Sequence, residues 1–142
     1  MKKLALATLA SGVWINLCEF LRNELLFKQR WIDKYEALGL EFPSAPINGA
    51  MWVVWGFLFA GCIVILRRKL RFTETILLGW FMGFVLMWIV IGNLNVLPLG
   101  LLQVAVPWSL VEVGLSVVIV QSIIDKPKVE QGHPAGAPRA RG

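Results

Sequence analysis

The chain has 142 residues, of which 57% are hydrophobic and 16% charged, with a mean hydropathy of +0.67 and a net charge of +5. Soluble domains carry roughly 25% charged residues, whereas here apolar residues fill whole segments without a break, which excludes an ordinary water-soluble fold and makes a bilayer the natural solvent. A single histidine, His133, and two cysteines in separate apolar segments, Cys18 and Cys62, leave no ligand set for haem, zinc or di-iron and no C-x-x-C pair, so no cofactor is expected.

Four stretches are long enough to cross about 30 Å of hydrocarbon at about 1.5 Å per residue: 4–27, 47–66, 73–92 and 99–124. A bilayer core gives backbone groups no partners outside the chain, so uninterrupted apolar runs of this length predict helices despite their Val and Ile content. The predicted fold is all-α, a four-helix transmembrane bundle forming one domain over 1–124. Met1-Lys2-Lys3 and the small residues near Ala10 imitate a secretory signal peptide. The run continues through Trp14, Ile15, Leu17, Phe20 and Leu21, past the roughly 7 to 15 residues of a signal core, and reads as a retained first span.

After the first span, Trp31, Tyr35 and Leu38 fall at i, i+4 and i+7 among Lys, Asp and Glu, with Gly39 as a stop. Two structures fit this pattern: a short amphipathic helix in the outer interface, or an extension of the first helix beyond the membrane. The second connection carries Arg67, Arg68, Lys69 and Arg71. The third, 93–98, is an uncharged hairpin that makes its flanking spans antiparallel neighbours. Lys2 and Lys3, and the tail residues Lys126, Lys128, Arg139 and Arg141, fall on the same side as the second connection, whereas the first balances Lys28, Arg30 and Lys34 against Asp33, Glu36 and Glu41. The positive-inside rule then predicts that both termini are cytoplasmic. The basic excess is read as a topology signal, with anionic lipid heads rather than nucleic acid as the partner of Arg67, Arg68, Lys69 and Arg71. Residues 125–142, rich in Pro, Gly and Ala, are expected to be a disordered cytoplasmic tail.

Polar groups deep in the spans are costly, about 2.5 to 3.5 kcal/mol for a charge at the bilayer centre, and two carboxylates lie there. Glu19 follows Leu4 by fifteen residues and Glu112 precedes Ile124 by twelve, so their expected depths are similar. Each belongs to a stripe of small or polar residues at helical spacing: Gly12, Asn16, Glu19 and Asn23 in the first span, Ala105, Ser109, Glu112 and Ser116 in the fourth. Such faces turn toward each other or toward a shared cavity. Arg22, three residues after Glu19, either neutralises it or snorkels outward. The group reads in two ways: as a site whose paired carboxylates carry a proton or bind a cation, or as packing glue in which Asn16, Asn23, Ser109 and Ser116 satisfy them across a helix interface.

Gly79 with Gly83 and Gly56 with Ala60 are small-x-x-x-small pairs that let helices approach, within the bundle or between copies. Pro107 removes a backbone donor and is expected to kink the fourth span just before Glu112. Trp31, Trp52, Trp55 and Trp88 lie near the outer ends, as an interfacial belt requires, while Trp14, Trp80 and Trp108 are deeper. Trp108, four residues before Glu112, either lines the same region or fills the core.

The strings Ser11-Gly12-Val13-Trp14-Ile15-Asn16-Leu17-Cys18-Glu19-Phe20-Leu21-Arg22-Asn23 and Pro107-Trp108-Ser109-Leu110-Val111-Glu112 resemble those of a group of small bacterial four-span membrane proteins. The resemblance covers roughly residues 4 to 124 and implies a bacterial inner-membrane location without implying an activity. In size, span count and a first-span glutamate the chain is also similar to small multidrug resistance transporters, with Glu19 as the one position that carries over; the long first connection, Glu112 and the tail depart from their pattern. The leading expectation is a non-enzymatic structural or accessory membrane component, alone or in a homo-oligomer or larger complex. The alternative is a small proton-coupled permease or ion pathway that uses Glu19 and Glu112.

Overall fold

The computed structural model describes residues 1–125; apart from Asp125, the tail predicted to be disordered lies outside the described residues. Among the described residues the chain is all-α, with five helices and no strand: α1 (Lys2–Leu26), α2 (Lys28–Ala37), α3 (Pro46–Arg67), α4 (Phe72–Asn93) and α5 (Leu99–Ile124). All but α2 are long and apolar enough to cross a membrane. Only 22% to 39% of the most apolar stretch of each is buried inside the bundle, so most of the apolar surface faces outward, as a lipid solvent requires. Four such helices mark a multi-pass membrane protein.

Local chemistry sets the helix ends. Phe27, at φ −126° and ψ 8°, breaks the chain between α1 and α2, so the amphipathic segment is a helix of its own and not a continuation of α1. Gly39 ends α2 with φ +70°, a conformation glycine adopts without penalty. The N–H of Leu40 then reaches the Tyr35 carbonyl at 3.0 Å. Pro46, in the first turn of α3, needs no backbone donor there. At the start of α4 the Glu74 carboxylate accepts the Arg71 N–H at 2.9 Å.

Two spans contain a stretch of wider, π-helical turns: Leu21–Leu26 in α1 and Phe81–Val85 in α4. In the first, Phe27 N–H closes on the Arg22 carbonyl at 3.0 Å, five residues back. π-turns of this kind gather at functional sites, and these two flank the same group of side chains.

α1 packs against α3 and α5, and α4 packs against the same two helices from the other side. Where backbones approach, side chains vanish. A Cβ at Gly12 would run into the Phe57 ring, one at Gly56 into the Asn16 amide, and one at Gly83 into the Phe59 ring. The small residues of α3 and α4 therefore serve contacts inside the bundle. Ile15, Ile63, Phe84, Val113, Val117 and Val120 form the centre of the apolar core. Arg67 meets Asp125 at 3.3 Å, tying the ends of α3 and α5 together. At the opposite end α2 clasps the α4–α5 connection, with Lys34 donating to Asn95 Oδ1 at 3.2 Å and Arg30 to the Gly100 carbonyl at 3.4 Å.

Candidate functional site

The site grows from the seam between α1 and α5. Ser11 and Ser116, both fully buried, share a hydroxyl hydrogen bond of 2.5 Å, and Trp14 Nε1 donates to the Glu112 carbonyl at 3.0 Å. These pairs fix an antiparallel register in which Glu112 stands level with Trp14 and Ile15. The backbone of Arg22 lies about 11 Å farther along α1, at about 1.5 Å per residue. Cα–Cβ bonds tilt toward a helix's own N-terminus, so Arg22 leans back along α1 while Glu112, on the antiparallel α5, leans toward it.

They meet in a buried cluster. Arg22 Nη2 donates to Glu19 Oε1, and Arg22 Nη1 lies 3.6 Å from Glu112 Oε2, so one guanidinium pairs with a carboxylate from each helix. Glu19, Arg22 and Glu112 are only 7%, 4% and 1% exposed. The second Glu19 oxygen accepts the Asn23 amide at 2.7 Å, and Asn23 Oδ1 accepts Trp31 Nε1 of α2 at 3.2 Å. A chain of polar contacts thus runs from α2 through Asn23, Glu19 and Arg22 to Glu112. The π-turn of α1 carries Arg22 and Asn23; that of α4 carries Phe84, whose ring centre lies 5.2 Å from Arg22 Cζ. The ring face adds a cation–π contact to the guanidinium. Phe84 in turn contacts Trp55, Phe59 and Trp88, an aromatic wall on one side of the cluster.

The pairing is incomplete on one side. The cluster holds two carboxylates and one guanidinium. At 3.6 Å the Arg22–Glu112 contact is an ion pair without a hydrogen bond, and neither Glu112 oxygen has a hydrogen-bond partner. Among the described residues no group of three or more His, Cys, Asp or Glu side chains forms a metal-ligand set.

The remaining residues singled out in the sequence are placed elsewhere. Asn16 donates to the Gly12 carbonyl at 2.8 Å and to the Val53 carbonyl at 3.4 Å, which makes it a residue of the α1–α3 seam. Ser109 accepts Trp80 Nε1 at 2.9 Å and donates to the Val106 carbonyl at 3.0 Å, binding α4 to α5. Ser116 belongs to the Ser11 pair, about one turn below Glu112. Trp108 is half-buried, and its Nε1 has no hydrogen-bond partner. The structure therefore gathers Glu19, Arg22, Asn23 and Glu112 and leaves Asn16, Ser109, Ser116 and Trp108 outside that group. It adds Phe84 to the group, while Ser11 and Trp14 hold the α1–α5 seam beside it and Trp80 the α4–α5 seam. Ser11 was detectable: Ala7, Ser11, Ile15, Cys18 and Arg22 form a buried stripe at helical spacing, one residue before the polar stripe through Glu19. Phe84 carries no polar signal, and only its packing reveals it.

No model of a protein family matches the chain, and no curated protein or solved structure is detectably similar to it.

Proposed function

We propose that this chain is a non-enzymatic structural or accessory component of a bacterial inner membrane, with both termini and the basic α3–α4 connection in the cytoplasm and α2 lying in the outer interface. The observation that carries this reading is Arg22, buried between carboxylates of two helices and stacked on a ring from a third. Lipid tails are as apolar as leucine, so they drive no helix association; packing and interhelical polar contacts set the arrangement instead. A guanidinium that must meet Glu19, Glu112 and Phe84 together selects one register of α1, α4 and α5. Anionic lipid heads at Arg67, Arg68, Lys69 and Arg71 are the expected surface partners. The outward apolar faces serve lipid, a second copy or a larger membrane complex.

A second reading, a small proton-coupled permease or ion pathway, draws on the unpartnered Glu112 oxygens. Two carboxylates facing one guanidinium leave room for one more positive charge, a proton or a small cation, at the inner end of the polar chain from α2.

Glu112→Gln separates the two readings. It keeps the side-chain shape and removes the carboxylate in excess. The structural reading expects no pH-driven flux in proteoliposomes from parent or variant, with thermal unfolding in detergent unchanged or raised. Flux in the parent that disappears in a folded Glu112→Gln variant overturns the structural reading and establishes the alternative.

A further inference from the structure

We propose that the outward side of the α3–α4 seam is a binding site for one anionic phospholipid, its phosphate held by the α3–α4 connection and one acyl chain lying in the groove below. The inference deepens the reading that this basic connection faces an anionic leaflet, and rests on it. The groove has a volume of about 200 Å³ and is apolar, bounded by Trp55, Leu58, Cys62 and Leu66 of α3 and by Gly79 and Met82 of α4. It lies between the exposed side chains of Leu58 and Cys62 on α3 and Met82 on α4, and the Phe59 ring, packed into the space at Gly83, forms its floor.

Two observations identify the occupant. The first is length. From Leu66 to Trp55 the groove follows eleven residues of α3, about 16 Å at about 1.5 Å per residue, and one leaflet is about half of a 30 Å hydrocarbon core. The groove thus has the reach of a single acyl chain starting from the membrane surface. The second is charge. At the Leu66 end stand Arg68, Lys69 and Arg71, all exposed. The nearby acids are already engaged, Asp125 by Arg67 and Glu74 by the Arg71 N–H. Three cations at the mouth of a one-leaflet apolar groove complement a phosphate headgroup joined to an acyl chain. A second copy of this chain would instead bring its own basic connection into contact with this one if it docked by two-fold symmetry.

The test is native mass spectrometry of purified protein equilibrated with equimolar phosphatidylglycerol and phosphatidylcholine. The parent is expected to retain one phosphatidylglycerol with a preference of at least about tenfold. Replacing Arg68, Lys69 and Arg71 by Gln removes the preference. Cys62→Phe and Leu58→Phe each fill the groove and abolish retention, while a separate measurement of salt-sensitive binding to phosphatidylglycerol vesicles stays at the parental level. Thermal unfolding identifies any filling variant that has lost its fold, and the other then decides. Unchanged retention in the filled variants, with preference lost in the Gln variant, overturns the groove site and leaves the basic-connection reading standing. Equal retention of both lipids by the parent overturns both. A protein dimer that excludes lipid from the parent also overturns the proposal.

Discussion

At the scale of single residues, the energetics of the membrane core centre on Arg22. Removing one partner of a buried ion pair strands the other in a low dielectric, which costs about 3–5 kcal/mol, and here one guanidinium serves two carboxylates. Arg22→Met is therefore expected to lower stability in detergent unfolding by about that amount. Arg22→Lys should recover only part of the loss, because an ammonium lacks the planar fork that reaches two carboxylates and stacks on Phe84. An Arg22→Met variant as stable as the parent would show that the pairing does not hold the bundle. The sequence made Glu19, Glu112 and Arg22 conspicuous because charge in an apolar span is rare. It left open whether Arg22 turned inward or snorkelled, a choice that depends on the Phe84 ring, sixty-two residues away. Asn16 shows the converse: it shares the helical face of Glu19, yet its amide is drawn to the backbone of α3 because Gly56 opens a space there.

At the scale of elements, glycines set the distances between helices and π-turns set the phase of two of them. Gly83→Ala would place a methyl group in the Phe59 ring, which is itself held between Trp55 and Phe84. Overpacking of this kind costs about 1–3 kcal/mol. Gly61 has open space around its Cβ position, so Gly61→Ala should leave unfolding unchanged. Equal stability of the two variants would contradict the packing described for α3 and α4. Helix existence was readable from hydropathy, since only a helix satisfies its backbone alone in lipid. The π-turns were not readable, because a run such as Phe81–Val85 is equally apolar and equally helical with four or five residues between bonded groups. The break at Phe27 was likewise hidden; the amphipathic period of α2 continues through it, and only backbone geometry separates a new helix from an extended one.

At the scale of the whole molecule, four crossings bring the start of α1 and the ends of α3 and α5 to one end of the bundle, with α2 and the α4–α5 connection at the other. If the basic end faces the cytoplasm, single cysteines introduced by Lys2→Cys and Lys69→Cys in a Cys18→Ala, Cys62→Ala background should react with an impermeant maleimide only after cell lysis. Glu41→Cys should react in intact cells. The opposite pattern would invert the orientation and remove the anionic-leaflet argument for the lipid site. The amino-acid sequence by itself determined the solvent, the helical class, the number of long apolar segments and the identity of the deep charges, because each follows from local hydropathy and backbone satisfaction. Which polar groups meet was decided only by tertiary structure. The antiparallel register of α1 and α5, the glycine contacts and the ring of Phe84 arise between residues far apart in the chain, and they turn two isolated carboxylates into one cluster around Arg22.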